Sequence, residues 1–510
     1  MGSVKKSRKC NMERYTLSQT GKTFLVVALI VGLLIGVGIG WVAKPIPETA
    51  GMVPQEDYDA LQSQLDAVTD DLDAAAATLG VVTVERNEAV AERDAKAADL
   101  DAAVEETKKL TQAMIEVYFD SIAAGGEAPI ESSVTGEIKL GGLFSLSGVL
   151  ATFGENEHAA ALLAVEHVNA FLEAIGVEWT VSIVAEDTQT TPDLALEKVE
   201  SLAARGIKLI VGPLASSEVR AIKGYCDANK ILAISQSSTA PDLAIADDYI
   251  FRFCPTDKLG QGPAMGRILY DAGIRYVIPV TRNDAWGVGL EEAGRPKFEE
   301  LGGTFLEGIR YPDTAVEFSA EASDLAAKVA SAVDAYGAEN VAIWHISFEE
   351  VNAFFTAASE YPVLKTVEWF GSDGTAQSGA MLDDPLVWDF AIEVGYPCTI
   401  FAPTKSAKWE MVRQNGVDVI GREPDSYSYA IYDIVWAYAL SILKADSADP
   451  DAVRAVLPEV TESFFGASGW INLDEAGDRM AGDYFIWQIT EAGWELAGTY
   501  VLATDTVEWE

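Results

Sequence analysis

Residues 208–220 read KLIVGPLASSEVR, and residues 231–243 read ILAISQSSTAPDL. Each segment opens with a short run of aliphatic, partly β-branched residues and then continues into small and polar residues, the pattern of a buried strand that ends in a turn. A stretch with helical spacing follows the first segment. The two segments therefore predict strands joined by a helix, which is the repeating unit of a parallel α/β fold.

The same alternation of strand and helix continues through residues 135–510. Amphipathic stretches of helical spacing separate the strands, as after Gly154, where apolar residues fall on one face. The predicted strands are residues 138–144, 179–184, 208–211, 231–235, 276–280, 341–346 and 367–370. Helices that cover parallel strands in this way predict a doubly wound α/β architecture.

Residues 135–510 are too many for one such sheet. The alternation restarts near Arg275, after the stretch YIFRFCPTD, which we interpret as irregular. We therefore expect a ligand-binding domain of two similar lobes joined by a hinge. The chain is expected to cross between the lobes near residues 255 and 396, and a third time in the C-terminal part.

An apolar run, FLVVALIVGLLIGVGIGWVA, occupies residues 24–43 ahead of this region. Twenty helical residues span about 30 Å, the thickness of a bilayer's hydrocarbon core, so a transmembrane helix is expected over residues 23–43. Basic residues dominate residues 1–22, so the positive-inside rule predicts a cytoplasmic tail and a binding domain outside the cell, tethered to the membrane by a single span. A cleaved secretory signal is the alternative.

Residues 44–120 are predicted to form a helical stalk. Apolar residues between positions 58 and 82 alternate three and four apart, as in the seam of a coiled coil. A stripe of small residues that could also pair two copies lies within the membrane segment: Gly32, Gly36 and Gly40. A homo-oligomer is one expectation and a single solvated helix is the other. Residues 121–134, rich in Gly, Ser and Ala, are expected to form a flexible linker.

The charge balance excludes one class of partner. The chain has 510 residues, with 36 Lys and Arg against 79 Asp and Glu, for a formal net charge of −43. Most of this surface would repel a phosphate backbone, so no nucleic-acid partner is expected. Apolar residues make up 49% of the chain, which is enough to build cores and excludes wholesale disorder.

Few residues could bind a metal or form a disulfide. There are three histidines, and His158 and His167 lie nine residues apart, which places them on opposite faces of a helix. No metal site is therefore predicted. Cys226 and Cys254 lie in the region predicted to be exported, where they could pair or stay free.

No catalytic motif stands out. The chain has no Gly-rich phosphate loop, no GxSxG elbow and no neighbouring Cys and His in the sequence. The segment NLDEAGD offers oxygen atoms but lacks the spacing of a calcium loop, which favours a hairpin turn. We therefore expect a protein that is not an enzyme and that needs no cofactor.

Polar residues follow two of the predicted strands. In open α/β sheets the ligand lies beyond the carboxyl ends of the strands, so two facing lobes form a cleft there. Ser216 is expected to cap the helix that follows the strand ending at Val211, which leaves backbone N–H donors for an anion such as a carboxylate. Ser237 and Thr239 follow the strand ending at Ser235 and add hydroxyl groups at a neighbouring edge.

The second lobe is expected to contribute an acid and an aromatic ring. Asp373 stands in the turn GSDG after the strand ending at Phe370, where it would face a cation or an ammonium group. Trp286 follows the strand ending at Val280, and Phe153 follows the first strand of the first lobe. Either ring could pack against an apolar or planar group, although each could equally be a core residue.

A series of segments resembles the type I periplasmic binding proteins of the leucine-isoleucine-valine-binding kind. The resemblance covers nearly all of residues 137–501 and includes IKLGGLFSLSG, ATFG, GIKLIVGPLASS, ILAISQSSTAPDL, IFRFCPTD, TRNDAWGVGL, EWFGSDG and GASGWINLDEAGDR. It implies a two-lobed type I periplasmic-binding fold. It also implies that the ligand's carboxylate is held by residues matching Ser216, Ser237 and Thr239. Its ammonium would be held by an acid matching Asp373, and its side chain by aromatic residues matching Phe153 and Trp286.

The sequence departs from this family at three positions. The acid is Asp373 where the family commonly has glutamate, the first aromatic is Phe153 where it commonly has tyrosine, and an expected tyrosine is replaced by Ser347 or displaced to Phe348. The resemblance implies binding of an amino acid or related small polar compound and delivery to an ABC-type permease. The alternative is a sensor domain that reports the ligand to a membrane partner.

Overall fold

The computed structural model describes residues 132–510. The predicted cytoplasmic tail, transmembrane helix and stalk lie outside the described residues, as does nearly all of the linker. Every helix within residues 132–510 is either too short or too polar to span a bilayer. The limits of those N-terminal segments stay predictions.

Twelve α-helices are found in the described part of the chain. They are α1 Ala151–Ala174, α2 Pro192–Ala204, α3 Ser216–Asn229, α4 Gln261–Asp271, α5 Ala285–Glu300, α6 Ser319–Tyr336, α7 Val351–Ala358, α8 Gly379–Asp383, α9 Pro385–Val394, α10 Ala407–Ile420, α11 Ser426–Ala445 and α12 Pro450–Glu462.

Seventeen strands accompany them in residues 132–510. They are β1 Gly136–Phe144, β2 Trp179–Asp187, β3 Leu209–Val211, β4 Leu232–Ser235, β5 Ile250–Pro255, β6 Tyr276–Asn283, β7 Thr304–Phe305, β8 Ile309–Pro312, β9 Val341–Ile346, β10 Glu368–Phe370, β11 Cys398–Phe401, β12 Phe465–Gly466, β13 Gly469–Trp470, β14 Asp478–Arg479, β15 Tyr484–Thr490, β16 Gly493–Val501 and β17 Thr506–Trp509.

Two parallel sheets confirm the expected α/β fold. The first sheet has the order β14-β5-β4-β3-β1-β2 and the second β10-β9-β6-β7, with β8 also paired to β6. All seven predicted strands fall within these two sheets. A four-stranded antiparallel sheet, β11-β15-β16-β17, and the two-stranded pair β12-β13 were not predicted. We name the first sheet with its helices the first lobe, and the second sheet with its helices the second lobe.

The stretch interpreted as irregular is in fact a strand of the first sheet. All six residues of β5 are buried, including Arg252 in its middle. A buried arginine interrupts the apolar pattern, and this is why the strand was missed. Its guanidinium is paired with the Asp478 carboxylate of β14, with Nε–Oδ1 at 2.6 Å, so the two strands share a buried ion pair as well as their backbone pairing.

Apolar side chains cover both faces of the first sheet. One core packs α1, α11 and α12 against it, and a second core packs α2 and α3 against the other face. The second lobe has one continuous core, which also takes in Leu150, Phe153, Leu214 and Ala215 of the first lobe. The two lobes therefore share an apolar contact at the carboxyl ends of their strands.

The chain passes between the two sheets at three places. It leaves the first sheet after Pro255, returns between Phe401 and Ala407, and leaves again between Arg479 and Tyr484. The carboxyl ends of both sets of parallel strands thus lie beside the connecting segments, and this arrangement positions the cleft.

The cysteines and the NLDEAGD segment have simple structural roles. Cys226 and Cys254 are buried and free, so the disulfide left open above does not form. The NLDEAGD segment makes a tight turn, in which Leu473 and Arg479 form an antiparallel bridge. Asp474 Oδ1 accepts hydrogen bonds from two backbone N–H groups of that turn, at 2.8 and 3.0 Å, as expected of a hairpin turn.

Candidate functional site

The first-lobe side of the cleft is built by the turns after β3 and β4. Ser216 is the first residue of α3 and does not cap it, contrary to the prediction; the cap residue is Ala215. The helix begins earlier because the Glu218 side chain accepts the Ala215 N–H at 2.9 Å. The Ser216 hydroxyl oxygen instead accepts hydrogen bonds from Ala240 N and Ser238 Oγ, both at 3.2 Å, and ties the two turns together.

The other two predicted hydroxyl residues take different places. Ser237 lies in the cavity between the lobes, and its hydroxyl donates to the Leu214 carbonyl at 3.0 Å. Thr239 is buried but is not among the residues that line this cavity. Its backbone carbonyl accepts the Asp257 N–H at 2.9 Å, so this carbonyl faces the segment that leads into the second lobe.

The second-lobe side is built around Asp373. Asp373 is 3% exposed, and its Oδ2 accepts a hydrogen bond at 2.7 Å from the hydroxyl of Tyr427, at the start of α11 in the first lobe. This bond joins the two lobes across the cleft. The next residue in the chain is Gly374, and no larger residue fits at this position. A Cβ there would lie 2.6 Å from Phe348 Cδ1 and 2.9 Å from Trp286 Cη2.

The aromatic residues stand close to this acid. Trp286, at the start of α5, stacks on Phe348 with ring centroids 4.4 Å apart and planes inclined by 18°. Phe153 approaches from the first turn of α1 and is 2% exposed. The Arg282 guanidinium lies 4.6 Å from the Phe348 ring centroid and is paired with Glu350 at 2.8 Å, so its charge is already balanced.

A small cavity between the two lobes contains most of the predicted site residues. Its volume is about 20 Å³, enough for one water molecule, so a larger ligand enters only when the lobes move apart. The residues that line it are Leu150, Phe153, Leu214, Ala215, Ser216, Ser237, Trp286, Phe348, Asp373, Gly374 and Tyr427. Five of the six predicted site residues are therefore brought together, and Thr239 is the exception.

A second acid lies behind Asp373. Asp257 is fully buried in the segment between β5 and α4, and neither of its carboxylate oxygens has a hydrogen-bond partner among the described residues. Burial, together with the charge of Asp373, holds the pKa of Asp257 well above its usual range. Burial likewise raises the pKa of Asp373 to about 6, although the hydrogen bond from the Tyr427 hydroxyl opposes the rise.

Tyr427 was missed by the sequence reasoning. It stands in the segment PDSYSYAIYD, whose aromatic residues look like the core face of a helix. The available signal was Asp425, an N-cap residue that accepts the Tyr427 N–H at 2.9 Å and fixes where α11 begins. Phe348, noted above only as a displaced aromatic, is a wall of the cavity.

The family comparison agrees with this geometry. Residues 156–492 match the model of the receptor family ligand binding region, and the chain belongs to this family. An uncharacterised protein of Methanocaldococcus jannaschii is 34% identical over 392 residues, covering 73% of this chain and 92% of that protein. The leucine-, isoleucine-, valine-, threonine- and alanine-binding protein of Pseudomonas aeruginosa is 23% identical over 386 residues, covering 75% and 97%.

Solved structures show the same fold. The leucine-binding protein LivK of Thermotoga maritima has a TM-score of 0.61 at 21% identity, covering 71% of this chain and 98% of that one. LivJ of Streptococcus pneumoniae in complex with isoleucine has a TM-score of 0.60 at 18% identity, covering 73% and 99%. The resemblance to leucine-isoleucine-valine-binding proteins of the type I periplasmic class is confirmed.

Proposed function

We propose that this chain is an extracytoplasmic solute-binding protein, held at the membrane by its N-terminal segment, that captures an amino acid or related small polar compound and delivers it to an ABC-type permease. The observation that carries the proposal is that one small cavity is lined both by Ser216 and Ser237 from the first lobe and by Trp286 and Asp373 from the second. The names of the relatives, which include amino-acid-binding proteins, support the same class.

The proposed chemistry is binding without turnover. The Ser216 hydroxyl and the N–H groups at the start of α3 receive an anionic or polar end of the ligand, because the helix N-terminus carries a partial positive charge. Asp373 Oδ1, which is buried without a partner among the described residues, receives a positive end. A ligand that contacts both lobes favours the closed arrangement by its preference for that state.

The sensor remains the second candidate. A stretch of 190 residues is 30% identical to the chemotactic signal transduction system substrate-binding protein BasB of Halobacterium salinarum, covering 34% of this chain and 43% of that protein. Affinity purification of the full-length chain from its own membranes separates the two candidates. A permease and its ATPase among the partners support transport, whereas a receptor with a signalling domain supports sensing.

A ligand screen by thermal unfolding tests the binding function. The purified full-length chain is heated with amino acids, amides and small carboxylates, since a ligand at 100 times its Kd stabilises by about 2.7 kcal/mol. We expect at least one compound with an ammonium group to raise the Tm and to be recovered unchanged. A screen in which only anions without an ammonium group raise the Tm contradicts the proposed role of Asp373.

A further inference from the structure

The cavity has aromatic rings from both lobes and a single charged group. Of the described residues that line it, Phe153 and Tyr427 come from the first lobe and Trp286 and Phe348 from the second, while Asp373 is the one acid and no Lys, Arg or His is present. Because Gly374 has no side chain, its backbone comes close to the stacked Trp286 and Phe348 rings, directly after Asp373 in the chain. Aromatic faces around one carboxylate form the environment in which proteins bind alkylated ammonium groups.

The opposite side of the cavity is poor in free donors. The Ser237 hydroxyl is already used on the Leu214 carbonyl, so Ser216 offers the one uncommitted hydroxyl hydrogen among the cavity residues. Two buried acids of the first lobe have oxygens without a hydrogen-bond partner among the described residues: both carboxylate oxygens of Glu157, and Oε1 of Glu218. A ligand carboxylate would rely on the Ser216 hydroxyl and on the backbone N–H groups of α3, and no Lys, Arg or His of the described cavity residues would balance its charge.

We propose that the ligand of this cleft is an N-alkylated ammonium compound. Its charge pairs with Asp373, its methyl groups pack against the rings of Phe153, Trp286 and Phe348, and a carboxylate at its other end is dispensable. This rests on the proposed function, because it concerns the same cleft, and it narrows the ligand from amino-acid-like compounds in general to organic cations with apolar shells around the nitrogen.

The test is a set of probes matched in shape. Choline is compared with 3,3-dimethylbutan-1-ol, which has the same shape without the charge, and glycine betaine is compared with glycine, which lacks the methyl groups. Each probe and leucine are titrated into the full-length chain by calorimetry and thermal unfolding. We expect choline and betaine to raise the Tm and choline to bind at least about tenfold more tightly than its neutral analogue, since ring faces and a buried carboxylate both act on the charge.

The outcomes separate this inference from the proposed function. If leucine raises the Tm and neither choline nor betaine does, the ligand class is wrong and solute binding stands. If no probe and no compound of the wider screen raises the Tm, both are wrong. Equal affinity for choline and its neutral analogue also overturns the inference, because shape alone would then explain binding.

A pair of variants tests the aromatic contribution separately. Trp286→Leu keeps an apolar side chain and removes a ring face, so choline affinity should fall about 3- to 30-fold. Phe298→Leu makes the same kind of change on the same helix, in a buried ring that does not line the cavity, and should lower the Tm without changing choline affinity. Unchanged choline affinity in Trp286→Leu, or an equal fall in both variants, contradicts the proposal.

Discussion

The two halves of the cleft are held in place in different ways. On the first lobe, Ser216 and Ser237 are fixed by hydrogen bonds within their own lobe, to Ala240 and Leu214 among others. On the second lobe, Asp373 keeps one carboxylate oxygen without a partner among the described residues, and the bond of the other oxygen crosses to Tyr427. The polar groups of the first half are therefore held in position before a ligand binds. The Asp373 carboxylate of the second half is held only by a group from the other lobe, so its surroundings change when the lobes move apart.

The largest effect should come from removing the charge of the second half. Asp373→Asn should weaken binding of a cationic ligand by 100-fold or more, since losing one partner of a buried charge pair costs about 2 to 5 kcal/mol. Burial raises the pKa of Asp373 above the value that it has in the unfolded chain. At a pH above that unfolded value, the ionised carboxylate therefore lowers the free energy of unfolding. The ligand-free variant should therefore have a higher Tm than the parent at pH 8. A lower Tm together with retained affinity would contradict this account of Asp373.

A change in the preorganised half should act mainly on stability. Ser216→Ala leaves the buried Ala240 N–H without its partner, and an unpaired buried donor costs about 1 to 3 kcal/mol, measurable by chemical denaturation. Ser217→Ala is the matched control, because Ser217 is half-buried on the same helix and its side chain makes no hydrogen bond among the described residues. Equal losses in the two variants would show that Ser216 does not connect the turns.

Acidification should weaken binding through Asp373. Protonation removes the charge that a cationic ligand needs, and the pKa of Asp373 is about 6, so affinity should fall about tenfold between pH 8 and pH 5. Calorimetry with a ligand that does not titrate in this range measures the change. Asp373→Asn should show a flat profile over the same range. A parent protein whose affinity is constant to pH 5 contradicts the raised pKa.

The smallest effect should follow from loosening the bond across the cleft. Tyr427→Phe removes the hydroxyl that donates to Asp373 and should lower ligand affinity about 3- to 10-fold, because a single hydrogen bond makes a modest net contribution. Tyr429→Phe is the control on the same helix, since the buried Tyr429 hydroxyl has no partner among the described residues. If the two variants behave alike, Tyr427 does not link closure to binding.

The sequence predicted the parts of this molecule that depend on local pattern. Strands such as residues 341–346 were placed because their aliphatic runs end at turn residues, and Asp373 was found because it follows such a strand. Strand β5 was missed because Arg252 is buried only through its pairing with Asp478, 226 residues away. The antiparallel sheet of β11, β15, β16 and β17 likewise depends on pairing between distant segments, which local pattern does not reveal.

The site shows the same division. The hydroxyl residues and the acid that line the cavity were predicted because they follow strands. Tyr427 reaches Asp373 only because α11 is capped by Asp425 and the two lobes face each other. Thr239 does not line the cavity, although it lies only two residues after Ser237 in the sequence. The backbone conformation of a turn decides where its side chains point. Here the Thr239 carbonyl accepts a hydrogen bond from the Asp257 N–H. The spacing of residues along the sequence does not reveal such a contact.

A distance across the cleft tests the central claim most directly, namely that residues of two lobes grip one ligand. Spin labels at Glu173→Cys in the first lobe and Asp334→Cys in the second, both exposed and in a Cys10→Ser background, report lobe separation by pulsed EPR. Saturating ligand should shorten and narrow the distance distribution, and Asp373→Asn should prevent this. An unchanged distribution at a ligand concentration that raises the Tm would contradict closure of the two lobes on the ligand.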